Sequence, residues 1–294
     1  MTKHIFWLAS YPKSGNTLLR SILISLFFTT DGLFSLENAK NIMQFDITVL
    51  LKKNKSIFGD DFDNLENMSI LYKYMDILQS KDSLKFKQDF IFLKTHSGLF
   101  EIGGNAFTKE ENTRGIIYVI RDPRDVCISW AKHSGISIDE SINFMLNDLA
   151  SSSWMEPKKW GNIFPENKRP RSLLSSWEKH VISWTSINWK IPIMILKFEE
   201  LVYEKETAIN KIINFFEKYY NFNFNNKDLK IKNIINSTNF NKLKKEEELK
   251  GFVEATKYSK FFSVGKKDQW KDKLSTSQIK LLEKKFNVIM KKFN

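Results

Sequence analysis

Apolar positions recur along the chain in two patterns, one typical of buried strands and one of helices. The short apolar runs, which predict strands, are Ile5–Ala9, Phe90–Leu93, Ile116–Ile120 and Pro192–Leu196. Helical spacing predicts helices over Thr17–Phe28, Leu65–Leu78, Pro123–Lys132, Ile138–Ala150, Leu173–Asn188, Lys205–Tyr219 and Ser275–Phe293. Strands that alternate with helices indicate an α/β fold with a central parallel sheet flanked by helices. Because such sheets bind ligands beyond the carboxyl ends of their strands, the residues after each strand are the functional candidates.

Two polar segments are expected to connect these elements. Lys227–Lys250 is rich in Lys, Asn and Glu and is expected to be exposed. Ser151–Arg171 contains Pro, Gly and two Trp residues, which is typical of a long irregular loop. Such a loop is either a lid or binding wall, or a variable surface insertion. The sequence has no Gly/Ser-rich or Pro-rich linker and no repeat, so we expect one domain over residues 1–294.

The first predicted strand runs into a short loop, Tyr11–Thr17, and then into an apolar helix. A loop between strand and helix aims backbone N–H groups at one spot, and the helix N-terminus adds partial positive charge there. Lys13 adds a full charge. The pattern predicts a phosphate cradle and therefore a nucleotide ligand, although an ordinary strand-to-helix turn with a surface Lys is an alternative. A Walker A loop places its Lys at the end, whereas Lys13 precedes Gly15.

A second group of polar residues, Lys94, Thr95 and His96, follows the second predicted strand. Histidine titrates near neutral pH and can take a proton from an attacking alcohol, so His96 is a candidate general base. Lys94 lies two residues earlier and faces the same side of the strand, where its charge can hold the oxygens of a transferred group. A packed, hydrogen-bonded structural histidine is the alternative.

A third group begins at Arg121, directly after the strand Ile116–Ile120. Asp122 suits a helix N-cap and Pro123 the first helical position, so Arg121 is expected at the strand end beside a helix start. A guanidinium binds phosphate through two parallel, charge-assisted hydrogen bonds. Ion pairs with neighbouring aspartates are the alternative, and we prefer that interpretation for Arg124.

The three groups resemble, in this order, the motifs of cytosolic-type sulfotransferases that use 3′-phosphoadenosine 5′-phosphosulfate (PAPS), most of all the bacterial members. Tyr11–Thr17 resembles the 5′-phosphosulfate loop, Lys94–His96 the catalytic segment, and Arg121 with Ser129, eight residues later, the 3′-phosphate site. The resemblance extends almost end to end, through the further segments Ser176–Val181, Ile195–Leu201, Ser237–Phe240 and Phe261–Lys271.

The resemblance implies a single P-loop-like domain that transfers the sulfuryl group of PAPS to a hydroxyl of a small-molecule acceptor, with 3′,5′-ADP (PAP) as product and no metal. It implies that His96 is the general base, that Lys13 neutralises charge on the leaving 5′-phosphate oxygen, and that Lys94 holds the sulfuryl oxygens. The other cofactor-binding residues that it implies are Ser14, Gly15, Asn16, Thr17, Leu18, Arg121, Ser129, Phe198, Thr238, Phe240, Gly265 and Lys266.

The sequence departs from the family pattern around the adenine and the 3′-phosphate. Leu18 replaces a Trp that stacks on adenine, and Phe198 replaces a Tyr whose hydroxyl lies near it. Ser263–Val264 replaces an Arg/Lys pair before Gly265, and Asp268 stands where a second Gly is common. We expect an intact 5′ half of the cofactor site and a weaker 3′ half. A catalytically weakened family member that binds PAPS or PAP is therefore an alternative.

Composition adds little to this picture. The net charge of +12 over 294 residues suits an anionic ligand, but Lys and Asn are abundant throughout. The basic residues are spread along the chain, so we expect no nucleic-acid partner. Cys127 is the only cysteine, so no disulfide forms within the chain and a reducing, cytoplasmic location is expected. The apolar stretch Leu18–Phe28 is too short to span a bilayer, so we expect no stable membrane insertion.

A P-loop kinase or NTPase with an unusual loop is the main alternative from another function class. It needs a strand-end Asp to hold Mg²⁺, and Asp122 is available but suited to capping. Metal-free binding of 3′,5′-ADP would favour the sulfotransferase, and dependence on Mg-ATP the kinase. The sequence shows no cluster with metal-ligand spacing, and we expect structural roles for His4, His133 and His180.

The acceptor is suggested only by segments expected to form the walls of its site. These segments contain many aromatic residues and slightly favour an apolar or aromatic alcohol; they are Gly32–Phe62, Ser134–Pro170 and Phe240–Tyr258.

Overall fold

The computed structural model describes residues 3–154 and 163–293. The strands are β1 (Ile5–Ser10), β2 (Met43–Gln44), β3 (Ile91–Thr95), β4 (Glu101–Ile102), β5 (Asn105–Ala106), β6 (Thr113–Ile120), β7 (Ser151–Ser153), β8 (Arg171–Leu173) and β9 (Ile193–Lys197).

The N-terminal helices are α1 (Asn16–Phe28), α2 (Thr48–Lys53), α3 (Met68–Lys73), α4 (Met75–Leu78), α5 (Lys81–Leu84), α6 (Pro123–Ser134) and α7 (Ile138–Leu146). The later helices are α8 (Trp177–Thr185), α9 (Phe198–Tyr203), α10 (Lys205–Tyr220), α11 (Lys227–Ser237), α12 (Phe240–Lys250), α13 (Trp270–Lys273) and α14 (Thr276–Phe293). Short 3₁₀ helices span Leu36–Asn41, Lys55–Ile57, Gly59–Asn64 and Glu166–Lys168.

A five-stranded sheet has the strand order β2-β3-β1-β6-β9. β1 pairs with β3 in parallel, in a register that runs from Ile5 opposite Ile91 to Ala9 opposite Thr95. The sheet confirms the predicted α/β class with a central parallel sheet, and the four predicted strands correspond to β1, β3, β6 and β9. The three candidate motifs follow β1, β3 and β6, which are neighbours in the sheet.

The apolar run in β1 explains its place inside the sheet. All six of its residues are fully buried, and an uninterrupted apolar strand is typical of parallel sheets that are covered on both faces. Trp7 packs against Phe45, Phe107 and Trp184 at ring-centroid distances of 5.4, 5.3 and 6.3 Å. These large aromatic residues form much of the core around β1.

The chain divides into two compact units. The first comprises Met1–Tyr11, Gln44–Tyr118 and Phe144–Ile193, and the second comprises Pro12–Met43, Val119–Asn143 and Met194–Asn294. The first contains the aromatic core around β1. The second contains its own aromatic cluster, in which the Phe27 ring meets the edges of Phe216, Phe222 and Phe224. One domain over residues 1–294 stays a prediction.

The polar segment Lys227–Lys250 is not a simple connection, because it forms helices α11 and α12. Its few apolar residues recur at helical spacing, and Ile231, Ile234 and Leu243 are buried while most of the charged side chains face solvent. The polar composition of the segment did not indicate these helices, because each has only a narrow stripe of buried apolar residues.

The segment Ser151–Arg171 also differs from the expected irregular loop. It begins in β7 and ends in β8, which pair antiparallel with Ser151 opposite Leu173. For the same reason the helix expected from Leu173 starts only at Trp177. The middle of this segment, residues 155–162, lies outside the described residues, and so does that part of the expected wall Ser134–Pro170.

Within the described residues, no helix combines the length and the apolar character needed to cross a bilayer.

Candidate active site

The loop between β1 and α1 has a backbone that requires glycine at one position. Gly15 is the N-cap of α1 and has a φ of 103°, in the left-handed region. A Cβ there would lie 2.6 Å from Cδ2 of Phe198, closer than real Cβ atoms come to their neighbours. Gly15 therefore serves both a turn and the close approach of an aromatic ring, and the loop leads into a 13-residue helix whose first N–H groups need partners.

Ser14 gives this loop a buried donor. The side chain is 1% exposed, and its Oγ has no hydrogen-bond partner among the described residues. A buried hydroxyl without a partner costs free energy, which an anionic ligand at the helix N-terminus would recover. The loop thus fits a phosphate group.

Lys13 has contacts through both its main chain and its side chain. Its Nζ lies 4.2 Å from the ring centroid of Phe261 and donates to Nδ1 of His133 at 3.4 Å. Its φ of 66° is in the left-handed region, which non-glycine residues seldom adopt. His133, for which we expect a structural role, thus contacts the candidate catalytic Lys13, and that role stays a prediction.

Thr17 donates its hydroxyl to Oε2 of Glu254 at 2.8 Å. Glu254 is buried and also pairs with Arg20, which donates to the carbonyls of Ala39 and Ile42. A hydroxyl donates one hydrogen, so Thr17 must leave Glu254 before it can donate to a 5′-phosphate. That role of Thr17 stays a prediction, and the sequence alone did not point to Glu254.

Arg121 follows β6 directly, which confirms its predicted position at the strand end. The side chain is 5% exposed. Its Nη1 donates to the carbonyl of Lys13 and its Nη2 to the carbonyl of Lys266, both at 3.1 Å. Its Nε has no partner within the described part of the chain. Burial lowers the pKa of Arg121, although Asp125, 3.8 Å from Nη2, acts against this shift.

Arg124 forms the ion pair with the neighbouring Asp122 that we preferred for it, and a second with the distant Glu283. It contacts Asp122 at 2.6 Å and Glu283 at 2.6 Å, and its guanidinium lies 3.7 Å from the Trp270 ring. The Asp122 carboxylate also accepts the backbone N–H of Arg124, so the predicted N-cap is confirmed. The ion pair and the N-cap both engage the Asp122 carboxylate, which a Mg²⁺-dependent kinase or NTPase would need for its metal ion.

The segment between α12 and α13 is joined to α6 by hydrogen bonds to Asp125. Asp125, in the first turn of α6, accepts the backbone N–H groups of Asp268 and Trp270 at 2.9 and 3.2 Å. Asp268 has a φ of 61°, in the left-handed region. Glycine adopts this region most easily, and aspartate tolerates it better than most other residues. A Cβ on Gly265 would lie 2.3 Å from the Phe240 ring. Lys266 contributes its carbonyl to Arg121, while its side chain is exposed.

The residues expected around adenine have different surroundings. Phe198 is buried, with Gly15 against its ring and the Arg121 guanidinium 4.1 Å from its centroid. Thr238 donates its hydroxyl to the carbonyl of Ile234 at 2.7 Å and accepts from Lys205 at 3.1 Å. Burial lowers the pKa of Lys205 to about 8. Thus Phe198 packs against Arg121, and the Thr238 hydroxyl is engaged by Ile234 of α11 and by Lys205 of α10.

The remaining predicted cofactor residues lie on helices of the second unit. Asn16 is buried and Leu18 half-buried in α1, and Ser129 is half-buried in α6. Their roles stay predictions.

His96 follows β3 in the first unit, and its ring reaches the end of the neighbouring strand. Its Nδ1 lies 2.8 Å from the carbonyl oxygen of Ser10, the last residue of β1, and 3.3 Å from the Ser10 hydroxyl. A carbonyl only accepts, so Nδ1 carries the hydrogen and, in the neutral ring, Nε2 is the basic nitrogen. Lys94, two residues earlier in β3, is only 2% exposed.

The family model for the sulfotransferase domain matches residues 3–294. The chain belongs to the sulfotransferase domain family.

Its relatives and structural neighbours are distant. It is 23% identical to luciferin sulfotransferase of Photinus pyralis over 218 residues, 73% of this chain and 51% of the relative. It is 26% identical to sulfotransferase 1B1 of Canis lupus familiaris over 187 residues, 62% of this chain and 55% of the relative. The match to each thus spans about half of the relative's length.

Two solved structures share the fold over nearly the whole chain. One is retinol dehydratase in complex with androsterone and the inactive cofactor PAP, with a TM-score of 0.61, 16% identity and coverage of 98% of this chain and 80% of the other. The other is mouse sulfotransferase SULT7A1 complexed with PAP, with a TM-score of 0.59, 15% identity and coverage of 99% and 86%.

In this sulfotransferase-family chain, Asp46 and His180 hold the backbone of His96. The sequence alone did not assign either residue to the site. Asp46 accepts the N–H of His96 at 2.8 Å, and His180 donates from Nε2 to its carbonyl at 3.0 Å. For Asp46 the available signal was a carboxylate in the mostly apolar stretch 45–51, and for His180 it was its place in the segment Ser176–Val181. Across the described ranges, no three His, Cys, Asp or Glu side chains are grouped so as to hold a metal ion.

Proposed function

We propose that this chain is a PAPS-dependent sulfotransferase that sulfates a hydroxyl of a small molecule. The observation that carries the proposal is the loop before α1, where Lys13, the buried Ser14 hydroxyl and the helix N-terminus offer positive charge and hydrogen-bond donors to one anionic group. Membership of the sulfotransferase domain family supports the same activity.

The loop and Arg121 would hold the nucleotide. The backbone N–H groups of Ser14 to Thr17 bind the 5′-phosphate, and the Ser14 hydroxyl gains its missing partner there. Arg121 and Ser129 bind the 3′-phosphate, for which the unpartnered Nε of Arg121 is one donor. Bound PAPS supplies an activated sulfuryl group on its 5′-phosphate.

Three side chains act on the reacting groups in this proposal. His96 takes the proton of the acceptor hydroxyl at Nε2, because Nδ1–H is given to the Ser10 carbonyl. Lys13 neutralises charge on the leaving 5′-phosphate oxygen, and Lys94 holds the sulfuryl oxygens. Placement and charge stabilisation supply most of the catalysis of such transfers.

The acceptor is a small apolar alcohol in this proposal. Two structural neighbours are complexes of retinol dehydratase with androsterone and with retinol, each together with PAP. The aromatic wall segments of this chain favour an acceptor of the same kind. A cytoplasmic location without a nucleic-acid partner or a required metal completes the proposal.

A catalytically weakened member that only binds PAPS or PAP is the second candidate. Two of the five N–H groups of Arg121 are engaged by the main-chain carbonyls of Lys13 and Lys266. Ser263 and Val264 offer no cation, so fewer donors remain for the 3′-phosphate than the family pattern provides.

A transfer assay with ³⁵S-labelled PAPS, across phenols, sterols, sugars and lipids, tests the proposal. We expect labelled product with an apolar or aromatic alcohol, in EDTA as well as in buffer. Tight 3′,5′-ADP binding without transfer would support the weakened member. Phosphoryl transfer that depends on Mg-ATP would support the kinase instead.

A further inference from the structure

The backbone of His96 is held on both sides by buried side chains rather than by a neighbouring strand. Its N–H donates to Asp46 and its carbonyl accepts from His180. Asp46 is 3% exposed and His180 is fully buried. With both polar backbone groups fixed, the path of the chain at residue 96 and the direction of its ring are restricted.

Asp46 holds the whole turn that contains His96. Its Oδ2 accepts the hydroxyl of Thr95 at 2.7 Å and the N–H of His96, and its Oδ1 accepts the hydroxyl of Ser97 at 2.8 Å. The preceding N–H, that of Phe45, donates to the carbonyl of Lys94 at 2.7 Å. Burial raises the pKa of Asp46, and these hydrogen bonds act against the rise.

His180 is itself fixed in one tautomer. The His96 carbonyl only accepts, so Nε2 of His180 carries the hydrogen, and its Nδ1 then accepts the hydroxyl of Tyr118 at 2.9 Å. Burial lowers the pKa of His180 to about 4, so the ring is neutral at physiological pH. The Tyr11 ring meets its ring edge to face at 5.3 Å. The only N–H of the neutral His180 ring therefore goes to the His96 carbonyl.

We propose that Asp46 and His180 are positioning residues that keep the His96 ring against the Ser10 carbonyl, so that Nε2 stays the basic nitrogen. The consequence for catalysis rests on the proposed function. The consequence for the tautomer of His96 does not, and it can be measured without any substrate.

The tautomers of the four histidines make this measurement specific. His4 contacts the carbonyl of Gln79 through Nε2 at 2.8 Å, and His133 receives the Lys13 donor at Nδ1. His4, His133 and His180 are therefore Nε2–H tautomers when neutral, whereas His96 is the Nδ1–H tautomer.

The first experiment is ¹⁵N NMR of the ring nitrogens in the full chain labelled at histidine, above about pH 8, where ordinary histidines are neutral. We expect one Nδ1–H ring, assigned to His96 by its loss in His96→Ala. In Asp46→Ala this signal should change to a mixture of both tautomers while the other three rings keep theirs. An unchanged Nδ1–H signal in Asp46→Ala would overturn the proposal, as would an Nε2–H tautomer of His96 in the unmodified protein.

The second experiment compares kinetics and binding. Asp46→Ala should lower kcat by about 100-fold, the order expected when a catalytic group is misplaced by an ångström, while the Kd of 3′,5′-ADP changes less than twofold. Asp46→Asn should recover most of the kcat, because its amide oxygen can replace Oδ2 and its NH₂ group can donate to the Ser97 hydroxyl. Gln79→Ala is the matched control: Gln79 is fully buried in the same unit, outside the segments expected to form the acceptor walls, and donates to the carbonyl of Phe107 at 2.5 Å, so its loss should leave kcat unchanged.

Milder variants keep the test valid if Asp46→Ala does not fold. Thr95→Val removes one donor to Asp46 without changing the side-chain shape, and His180→Gln retains a donor near the Nε2 position. Thr95→Val should shift the His96 tautomer and lower kcat, and His180→Gln should do so only slightly. Full activity together with a uniform Nδ1–H signal in Thr95→Val would contradict the role of Asp46. If the unmodified protein transfers no sulfuryl group, the proposed function fails, and the NMR result still decides the positioning role.

Discussion

Arg121 donates a hydrogen bond from Nη1 to the main-chain carbonyl of Lys13, at 3.1 Å. The residue expected to read the 3′-phosphate thus also sets the backbone of the loop expected to bind the 5′-phosphate. Phe198 strengthens the connection, since its ring contacts both Gly15 and the Arg121 guanidinium. Substitutions at these positions should therefore alter the two halves of the nucleotide site together.

Nucleotide binding should depend on Arg121 far more than on Arg124. We expect 3′,5′-ADP to bind more tightly than 5′-AMP, and Arg121→Ala to weaken 3′,5′-ADP by about 10- to 100-fold, the range for charge-assisted hydrogen bonds. Binding of 5′-AMP should also weaken, to a smaller extent, because the loop loses its support. Arg124→Ala is the control, because Arg124 is engaged by Asp122 and Glu283. Calorimetry that gives equal affinities for the two nucleotides would refute the 3′-phosphate assignment.

Gly15→Ala should destabilise the protein more than an alanine at another glycine of similar φ. The control is Gly104→Ala: its φ is 78°, and a Cβ there meets nothing within 4 Å. That control should cost about 1–2 kcal/mol for the left-handed backbone alone. Gly15→Ala adds the clash with Phe198 and should also abolish 3′,5′-ADP binding. Urea unfolding curves measure the stability of the two variants, and calorimetry measures 3′,5′-ADP binding. Equal losses of stability in the two variants would show that the Phe198 ring moves aside at no cost.

Lys13→Ala should lower kcat more than it weakens PAPS binding. Charge develops on the leaving oxygen only in the transition state, and an interaction that strengthens there acts on kcat. Lys273→Ala is the control, because the Lys273 side chain is exposed in α13 and has no expected contact with the cofactor. Steady-state kinetics with PAPS would show Lys13 to be an ordinary binding residue if kcat were normal and only KM rose.

His96→Ala should remove most activity, by roughly 100- to 10,000-fold for a lost general base. The fold and 3′,5′-ADP binding should survive, because the substitution keeps the backbone groups that Asp46 and His180 bind. Turnover, circular dichroism and calorimetry on one preparation separate the outcomes. Near-normal turnover in a folded variant would refute the role, and a failure to fold would indicate a structural histidine.

His180 should make stability fall between about pH 6.5 and pH 4. The folded state keeps this ring neutral with a pKa of about 4, while the unfolded chain binds a proton near its ordinary value. As pH falls through this window the unfolded state gains protons that the folded state does not, so unfolding becomes easier by at most about 3 kcal/mol. Urea unfolding of the unmodified chain and of His180→Gln should show a stability difference that shrinks towards acid pH. A constant difference would contradict the depressed pKa.

The local structure of this chain could be predicted from the sequence. The buried strands were predicted because short, uninterrupted apolar runs such as Ile5–Ala9 are typical of strands covered on both faces. The N-cap at Asp122 and the position of Arg121 followed from neighbouring residues, and the loop before α1 from its succession of strand, Lys, Gly and helix. The family could be recognised because these signals are local and lie in a fixed order. The two-residue strand β2 and the sparse apolar stripes of α11 and α12 were too weak to predict.

The tertiary structure decided which side chains support those local motifs. Asp46 and His96 are 50 residues apart, and His180 lies 84 residues beyond His96, so no spacing in the sequence pairs them. The same holds for Glu254 with Thr17 and for Phe198 with Gly15. Sequence periodicity states which residues are buried, but a buried polar side chain can find its partner anywhere in the chain. The sequence alone therefore determined the strands, the loop and the family, while the tautomer of His96 and the surroundings of Arg121 depend on contacts that only the folded chain makes.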